Sequence, residues 1–150
     1  MLVYLFAMRL TVLTDYSLRM LIHLAVKPGG RATIAEVATS YGISEAHLMK
    51  VAHLLGQAGH VTTLRGRGGG LMLARPAAEI TVGDVVRRME PDMDVVPCLA
   101  GGSCAIQPAC RLKRTMHEAR AAFLAVLDGT TIADLAGPED RLQALLGLAA

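Results

Sequence analysis

Residues 33–74 read TIAEVATSYGISEAHLMKVAHLLGQAGHVTTLRGRGGGLMLA, and the first half of this stretch has the pattern of paired helices. Thr33 and Glu36 have capping-box spacing, which predicts a short helix over 34–41. A glycine turn follows, and Ser44 is the expected N-cap of a further helix. Two short helices joined by a glycine-containing turn predict a helix-turn-helix.

The second half of the stretch predicts a β-hairpin. Residues 60–64 and 71–74 have strand character, and the sequence RGRGGG joins them. A hairpin with a basic, glycine-rich tip after a helix-turn-helix is typical of a winged helix. Arg65 and Arg67 would supply positive charge where a DNA minor groove is most negative. A phosphate-binding loop is excluded, because such a loop leads directly into a helix and here a strand follows.

Apolar residues at helical spacing predict more helices on both sides of this unit. A first helix is expected from the N-cap Thr14 to about Val26, and another over 81–89. A long helix over about 109–127 carries an apolar stripe that a core of this size does not cover, so we interpret it as a dimerisation helix. The alternative is that this helix packs on its own winged helix. The stripe consists of Leu112, Met116, Ala119, Phe123 and Val126/Leu127.

The predicted fold class is therefore mostly α with a small β-hairpin wing, that is, a winged helix-turn-helix plus a long dimerisation helix. Residues 1–7 are interpreted as an extension before a start at Met8. The expected divisions are a DNA-binding domain over 8–90, a cysteine loop over 91–111, a dimerisation helix with a short terminal helix over 109–136, and a flexible tail over 137–150.

The charge of the chain is uneven. The net charge is +2, but residues 1–75 hold eight Lys/Arg against three Asp/Glu, and residues 76–150 hold seven against ten. A basic first half indicates a polyanionic partner, most simply nucleic acid, although chance scatter of surface charge gives the same count.

The apolar N-terminus has no basic n-region, and Arg9 and Asp15 interrupt it, so neither a signal peptide nor a membrane anchor is expected. We expect a cytoplasmic protein without membrane association.

The three cysteines of the chain form one cluster in the sequence. Cys98, Cys104 and Cys110 are separated by five residues each. An odd number of thiols cannot all pair within the chain, whereas three soft thiolates suit zinc or an iron–sulfur cluster. Either group needs a fourth ligand. His117 lies about two helical turns beyond the last cysteine, too far to serve, and the other histidines are expected at the surface or in the DNA groove: His23, His47, His53 and His60.

The helix-turn-helix, the RGRGGG wing and the three cysteines, in this order, resemble the IscR/NsrR-like family of winged-helix, iron–sulfur transcription regulators. The resemblance runs from Met8 to about Leu135. In the cluster-assembly regulators of that family a histidine is the fourth ligand, and Lys113 stands at its position here. The nitric-oxide-sensing members instead use an aspartate near the start of the first helix, supplied by the partner subunit, and Asp15 matches it. The resemblance thus implies that Cys98, Cys104, Cys110 and Asp15 hold a [4Fe-4S] cluster, with [2Fe-2S] as the alternative. Asp15 as a simple acid of the first helical turn remains the other interpretation.

The expected function is that of a DNA-binding transcriptional repressor, not an enzyme, whose cluster senses nitric oxide and releases DNA on reaction. A homodimer on palindromic double-stranded DNA is the expected assembly. The alternatives are an iron- or redox-responsive regulator that uses a cluster, zinc or free thiols, and an electron-transfer protein or enzyme. Against the last, the sequence has no substrate-binding motif and no acid/base pair near the thiols. The residues expected to contact DNA are Ser44, Glu45, His47 and Lys50 in the major groove, and Arg65, Arg67, Gly68 and Gly69 in the wing.

Overall fold

The predicted helix-turn-helix is present in the computed structural model, which describes residues 9–148. Helix α2 spans Ile34–Tyr41 and helix α3 spans Glu45–Gln57. The Thr33 side chain accepts from the Glu36 backbone N–H while the Glu36 carboxylate accepts from the Thr33 N–H, so the capping box is complete. The remaining helices are α1 Val12–Val26, α4 Val82–Met89, α5 Arg111–Asp128, α6 Ile132–Leu135 and α7 Glu139–Leu145. Residues 1–7, interpreted above as an extension, lie outside the described part of the chain.

The wing is a three-stranded antiparallel sheet rather than a simple hairpin. Its strands are β1 Arg31–Ala32, β2 Val61–Leu64 and β3 Gly70–Leu73, in the order β1-β3-β2. Gly70 allows the third strand to pair, since a Cβ on it would lie 2.8 Å from the carbonyl oxygen of Ala32. Strand β1 was not predicted, because two residues are too few for an alternating pattern to be visible. The fold class, mostly helical with a small sheet and a winged helix, is confirmed.

Helix α1 begins earlier than predicted. Its N-cap is Thr11, not Thr14, and the Thr11 hydroxyl accepts from the Thr14 backbone N–H. The Thr14 side chain is fully buried and donates instead to the carboxylate of Glu90. Glu90, 76 positions from Thr14, also accepts from the Thr11 N–H and hydroxyl, so it binds both threonines at the start of the helix. No local pattern could reveal this.

The core lies between α1 and the winged helix. Met20, Leu21 and Leu24 of α1 are buried against Leu48 and Leu55 of α3. Burial of about five such side chains supplies on the order of 10 kcal/mol of transfer free energy, which the ordering of the chain offsets in large part. α1 is therefore the central element on which the DNA-binding unit is assembled.

Two of the histidines expected at the surface are in fact buried. His23 is fully buried and His60 is 4% exposed, whereas His47 and His53 are exposed as predicted. The His23 Nε2 lies 3.2 Å from the Ser40 hydroxyl, which in turn donates to the carbonyl of Leu146. Among residues 9–148 the Nδ1 of the same ring has no hydrogen-bond partner, so the buried ring is satisfied on one side only. A histidine buried against a distant residue cannot be distinguished from a surface histidine by sequence spacing.

The C-terminal part of the chain returns to the DNA-binding unit. The Ile132 N–H donates to the carbonyl of Ile80, and the Val82 N–H donates to that of Thr130. The Ile132 side chain is fully buried in the common core. This strip of backbone pairing joins the segment before α4 to the segment after α5.

The tail expected to be flexible from residue 137 contains α7, which docks on the first half of the chain. The Gln143 amide nitrogen donates to the carbonyl of Val26 at 2.7 Å, and the Ser40 hydroxyl donates to Leu146 at 2.9 Å. The sequence of this segment is only weakly amphipathic, so its docking was not predicted. These two tertiary hydrogen bonds hold the segment in position.

Helix α5 has two distinct faces. One face is partly buried on its own chain, and the Arg87–Asp128 ion pair ties α4 to its end. The adjacent face carries large exposed apolar side chains, namely Leu112 at 55%, Phe123 at 45% and Val126 at 70%. Within residues 9–148, none of the helices has the length and apolar character needed to cross a membrane.

Candidate functional site

The first half of α3 presents the four residues predicted for the major groove. Ser44, Glu45, His47 and Lys50 are all exposed. The Ser44 hydroxyl accepts from the His47 backbone N–H and lies 3.0 Å from the His47 Nδ1, so one residue caps the helix and orients its neighbour. The polar side chains of these residues are therefore exposed at the N-terminal end of α3, the part of such a helix that contacts DNA bases in helix-turn-helix proteins.

The wing tip is a tight, cationic turn. Gly66 and Gly68 have φ values of 90° and 70°, which only glycine adopts without strain. A Cβ on Gly69 would lie 2.5 Å from the carbonyl oxygen of Leu64, so this position also excludes a side chain. Arg65 and Arg67 are exposed on this turn. No acidic residue occurs between residues 58 and 78, so the charge at the tip has no neutralising neighbour in sequence.

Asp15 lies in the first turns of α1 and forms an ion pair within its own chain. The Arg19 Nη2 is 2.9 Å from one carboxylate oxygen of Asp15, and the Arg19 Nε is 3.1 Å from the other. Both side chains are nearly half exposed. Asp15 is thus accessible to a second chain, and in the isolated chain its carboxylate is held by a guanidinium.

A short series of contacts leads from this ion pair to the recognition helix. The Arg19 guanidinium carbon lies 5.9 Å from the centre of the Tyr16 ring and 5.7 Å from that of Tyr41. The Tyr16 ring centre is 6.1 Å from that of His47. Tyr16 was not predicted as a site residue, because its neighbour on α3 is 31 positions away and its only signal in the sequence is its place beside Asp15.

The three cysteines follow α4 in an irregular loop that contains the three-ten segments Pro97–Ala100 and Gln107–Ala109. All three thiols are free. Cys104 is exposed, Cys98 is half-buried, and Cys110 is half-buried at the start of α5. Among residues 9–148, no three side chains of the His, Cys, Asp and Glu types are gathered at a point where they could share a metal ion. The chain alone therefore brings neither the three sulfur atoms nor Asp15 together.

The donor set nevertheless suits a soft metal centre. Three free thiols occur within a single loop, they are wholly or partly accessible, and no other cysteine competes with them. Thiolate is the ligand that iron–sulfur clusters and zinc prefer. The chemistry of the loop fits an iron–sulfur group, whereas its arrangement in one chain is not a preformed site.

The buried histidines are poor rivals as ligands because of where they lie, since a lowered pKa by itself favours the neutral ring that binds metals. Burial lowers the pKa of His23, and the Lys27 charge lowers it further against an opposing effect of Glu36. Burial likewise lowers the pKa of His60, and the Arg75 guanidinium, which lies 3.1 Å from its Nδ1, adds to the effect. Both side chains lie in the packed DNA-binding unit and outside the cysteine loop.

Comparison with known proteins identifies the family to which this geometry belongs. The profile of the Rrf2 family, described as an iron-dependent transcriptional regulator, matches residues 10–138. The chain belongs to the Rrf2 family. It is accordingly a DNA-binding transcriptional regulator with a winged-helix fold, and the resemblance inferred from the wing and the cysteines is confirmed at the level of the family.

Two curated relatives cover nearly the whole chain. The HTH-type transcriptional regulator NsrR of Bacillus subtilis is 46% identical over 142 residues, 93% of this chain and 97% of its own. The regulator of the same name from Shouchella clausii is also 46% identical over 142 residues, 93% of this chain and 95% of its own.

Solved structures of Rrf2 proteins share the fold. CymR, the global cysteine regulator of B. subtilis, has a TM-score of 0.73 at 28% identity, covering 87% of this chain and 98% of its own. IscR of T. potens has a TM-score of 0.71 at 25% identity, covering 91% and 92%.

Proposed function

We propose that this Rrf2 regulator is a homodimeric repressor that binds a palindromic operator and releases it when an iron–sulfur cluster reacts with nitric oxide. The observation that carries the proposal is the set of contacts linking Asp15 through Arg19 and Tyr16 to His47. The relatives named NsrR, 46% identical over most of their length, support the same assignment.

In this proposal the DNA-binding residues are divided between two grooves. Ser44, Glu45, His47 and Lys50 enter the major groove at the start of α3. Arg65 and Arg67, with the close backbone approach that Gly68 and Gly69 allow, enter the neighbouring minor groove. Phosphate contacts fix the register, and base-edge contacts of α3 give the sequence preference.

The ligands we propose for the cluster are Cys98, Cys104, Cys110 and Asp15 of the partner subunit. A [4Fe-4S] cluster is preferred, with [2Fe-2S] as the alternative. When bound, the group supplies iron that reacts with nitric oxide. A carboxylate oxygen is a harder ligand than a thiolate, so the Asp15 position is the weakest of the four. Ligation across the dimer agrees with the absence, among residues 9–148 of one chain, of a site that brings Asp15 together with the cysteines.

The residues of α1 would transmit the change to DNA. While Asp15 is engaged by the partner subunit, Arg19 is released from it and Tyr16 stays packed near His47. When Asp15 returns to Arg19, the α1 of one subunit is no longer fixed to the loop of the other. Two half-sites about one helical turn, ~34 Å, apart tolerate little misplacement. A coupling of ~1–3 kcal/mol changes affinity by ~5–150-fold.

The test is a DNA-binding titration with protein purified without oxygen. Bound fragments are first selected from sheared genomic DNA, and the affinity of the selected duplex is then measured with nitric oxide, with oxygen and with an iron chelator. We expect nitric oxide to weaken binding far more than the other treatments. Equal affinity of the iron-loaded and iron-free protein would contradict the switch.

Three variants separate the parts of this proposal. Cys104→Ala should lose the visible absorption of the cluster and the nitric-oxide response together. Asp15→Ala should keep the fold and alter the response. Arg67→Ala should weaken DNA binding with or without the cluster, because the wing acts on DNA directly.

A second candidate is a regulator that reports iron or thiol redox state through the same cysteines. The observation in its favour is that all three thiols are free and ungathered in the single chain, with Cys104 exposed. This candidate predicts that mild thiol oxidation of the iron-free protein changes DNA affinity, and that nitric oxide does not. Stoichiometric zinc in a colourless purified protein would favour it.

A further inference from the structure

Arg31 lies on the strand that the sequence analysis missed. It pairs with Met72 in the β1–β3 ladder, and its own backbone is set back from the wing tip. Its side chain extends forward along the glycine turn. A Cβ built on Gly70 would lie 3.3 Å from the Arg31 Cγ, and one on Gly68 would lie 4.0 Å from the Arg31 Nη1. The guanidinium therefore reaches the level of the tip.

The charge of Arg31 is not used within the chain. The residue is exposed, and among residues 9–148 it forms no ion pair, whereas nearby Lys27 is paired with Glu36 at 2.8 Å. Arg31 lies beside the wing, which carries Arg65 and Arg67. The sequence contains no Asp or Glu between residues 58 and 78. Three arginines thus lie around one turn, and among residues 9–148 none of them forms an ion pair.

We propose that Arg31 is a third DNA-contacting arginine of the wing and that it binds a backbone phosphate on the rim of the groove that Arg65 and Arg67 enter. The inference rests on the proposed DNA-binding mode. A guanidinium at the flank of the hairpin faces the phosphates that line a groove, while base edges on the groove floor are reached only from the tip. Arg31 would therefore add affinity and fix the wing against the backbone without reading sequence.

The competing explanation is structural, because the aliphatic stem of Arg31 covers the glycine backbone. Arg31→Met keeps a stem of similar length and removes the charge, Arg31→Gln removes the charge with a polar end, and Arg31→Lys keeps the charge. If Arg31 contacts a phosphate, the Arg31→Lys variant should retain most of the DNA affinity that the Arg31→Met and Arg31→Gln variants lose. Arg114→Met is the control, since it removes an exposed arginine, paired with Glu118, from α5, away from the wing.

The experiment measures fluorescence anisotropy of a labelled 30-base-pair duplex of mixed sequence at several salt concentrations, with the full chain. Each dimer would lose two phosphate contacts in Arg31→Met. We expect the slope of log K against log salt to become shallower by about 2, and affinity near 0.1 M salt to fall on the order of 10- to 100-fold. Arg114→Met should retain the wild-type slope.

Sequence preference gives an independent readout. Affinity is measured for one duplex that carries an A-tract and for one that does not. Arg67→Met should reduce the preference for the A-tract duplex, whose minor groove is narrow. Arg31→Met should weaken binding to both duplexes equally. Wild-type affinity and slope in both Arg31→Met and Arg31→Gln would overturn the phosphate contact while leaving the proposed function intact. Equal losses in the Lys and Met variants would overturn it in favour of packing. If wild-type protein binds neither duplex, the proposed DNA-binding mode itself fails.

Discussion

Asp15 and Arg19 form a two-point ion pair one turn apart on α1, with N–O distances of 2.9 and 3.1 Å. The carboxylate that we propose as a cluster ligand for the partner subunit is thus occupied by a guanidinium of its own chain. Because both side chains are nearly half exposed, water screens the pair and it contributes only ~0.3–0.5 kcal/mol to folding. Exchange of Asp15 between Arg19 and a second ligand therefore requires little free energy.

Replacement of Asp15 by Asn should leave the stability of the protein almost unchanged while altering its response to nitric oxide. The expected loss in the free energy of unfolding is at most ~0.5 kcal/mol, measured by urea titration. Glu118→Gln is the matched control, because Glu118 forms an exposed i,i+4 pair with Arg114 on α5. The control should show a similar small loss and a normal response. An unaltered response in Asp15→Asn would remove this residue from the switch.

Glu90 should contribute measurably to stability, since it fastens the start of α1 to the end of α4. Its Oε1 accepts from the Thr11 N–H at 2.8 Å, from the Thr11 hydroxyl at 3.0 Å and from the Thr14 hydroxyl. We expect Glu90→Ala to lower the free energy of unfolding by ~1–3 kcal/mol, and Glu90→Gln, which retains an acceptor oxygen, by less. Exposed Glu79→Ala, on the turn before α4, is the control and should have no comparable effect.

Stability should decrease as the pH falls below about 6.5. The pKa of His23 is lowered from 6.5 by burial, so below that pH the unfolded chain takes up a proton that the folded chain does not. Stability from the neutral ring is complete above 6.5 and is lost progressively toward the lower folded pKa. Burial of His60 acts in the same direction. Urea midpoints between pH 7.5 and 5 should show this slope.

Substitution of the buried rings should flatten that pH dependence. The double variant His23→Gln, His60→Gln should lose most of the slope, although its absolute stability will be lower because both sites are buried. His53→Gln, at an exposed position, should keep the slope. A wild-type slope in the double variant would assign the pH dependence to other groups.

The outer face of α5 should determine the oligomeric state. Phe123 and Val126 are 45% and 70% exposed and lie one turn apart on the same face of the helix. Apolar side chains at this spacing are typical of a helix that packs against a second helix in a dimer. We expect Val126→Glu to shift the protein from dimer to monomer in sedimentation velocity and to reduce operator affinity in parallel. Ala121→Glu places the same charge roughly 160° around the helix from Phe123 and should leave the dimer intact. Dimers that persist in Val126→Glu would exclude this face.

Much of the fold was predictable because its signals are local. The capping box at Thr33, the N-cap at Ser44 and the glycine-rich tip each specify structure within a few residues. The start of α1 was misassigned because the hydroxyl of Thr14, the predicted N-cap, donates to the distant Glu90, and β1 was missed because it consists of two residues. The burial of the histidines and the docking of α7 depend on contacts over long sequence separations, which no periodicity reveals.

The candidate site was predictable in composition and not in geometry. The even spacing of the cysteines identified the donors, and the resemblance to the family identified Asp15 as their companion. The contact between Tyr16 and His47 could not be predicted, because it arises only when α1 packs on α3. Arg31 lacked any sequence signal, since only its pairing with Met72 brings it beside the wing.

The pairing of Ile80 with Ile132 has a consequence for how the molecule is made. A polypeptide that ends after the wing leaves an opening in the core where the Ile132 side chain belongs, so we expect a chain truncated there to fold less stably than the full chain. On the ribosome, we expect the head that reads the promoter to reach its full stability only after residue 132 has left the exit tunnel. A fully stable head would therefore form only in chains that have already synthesised the thiol-bearing loop.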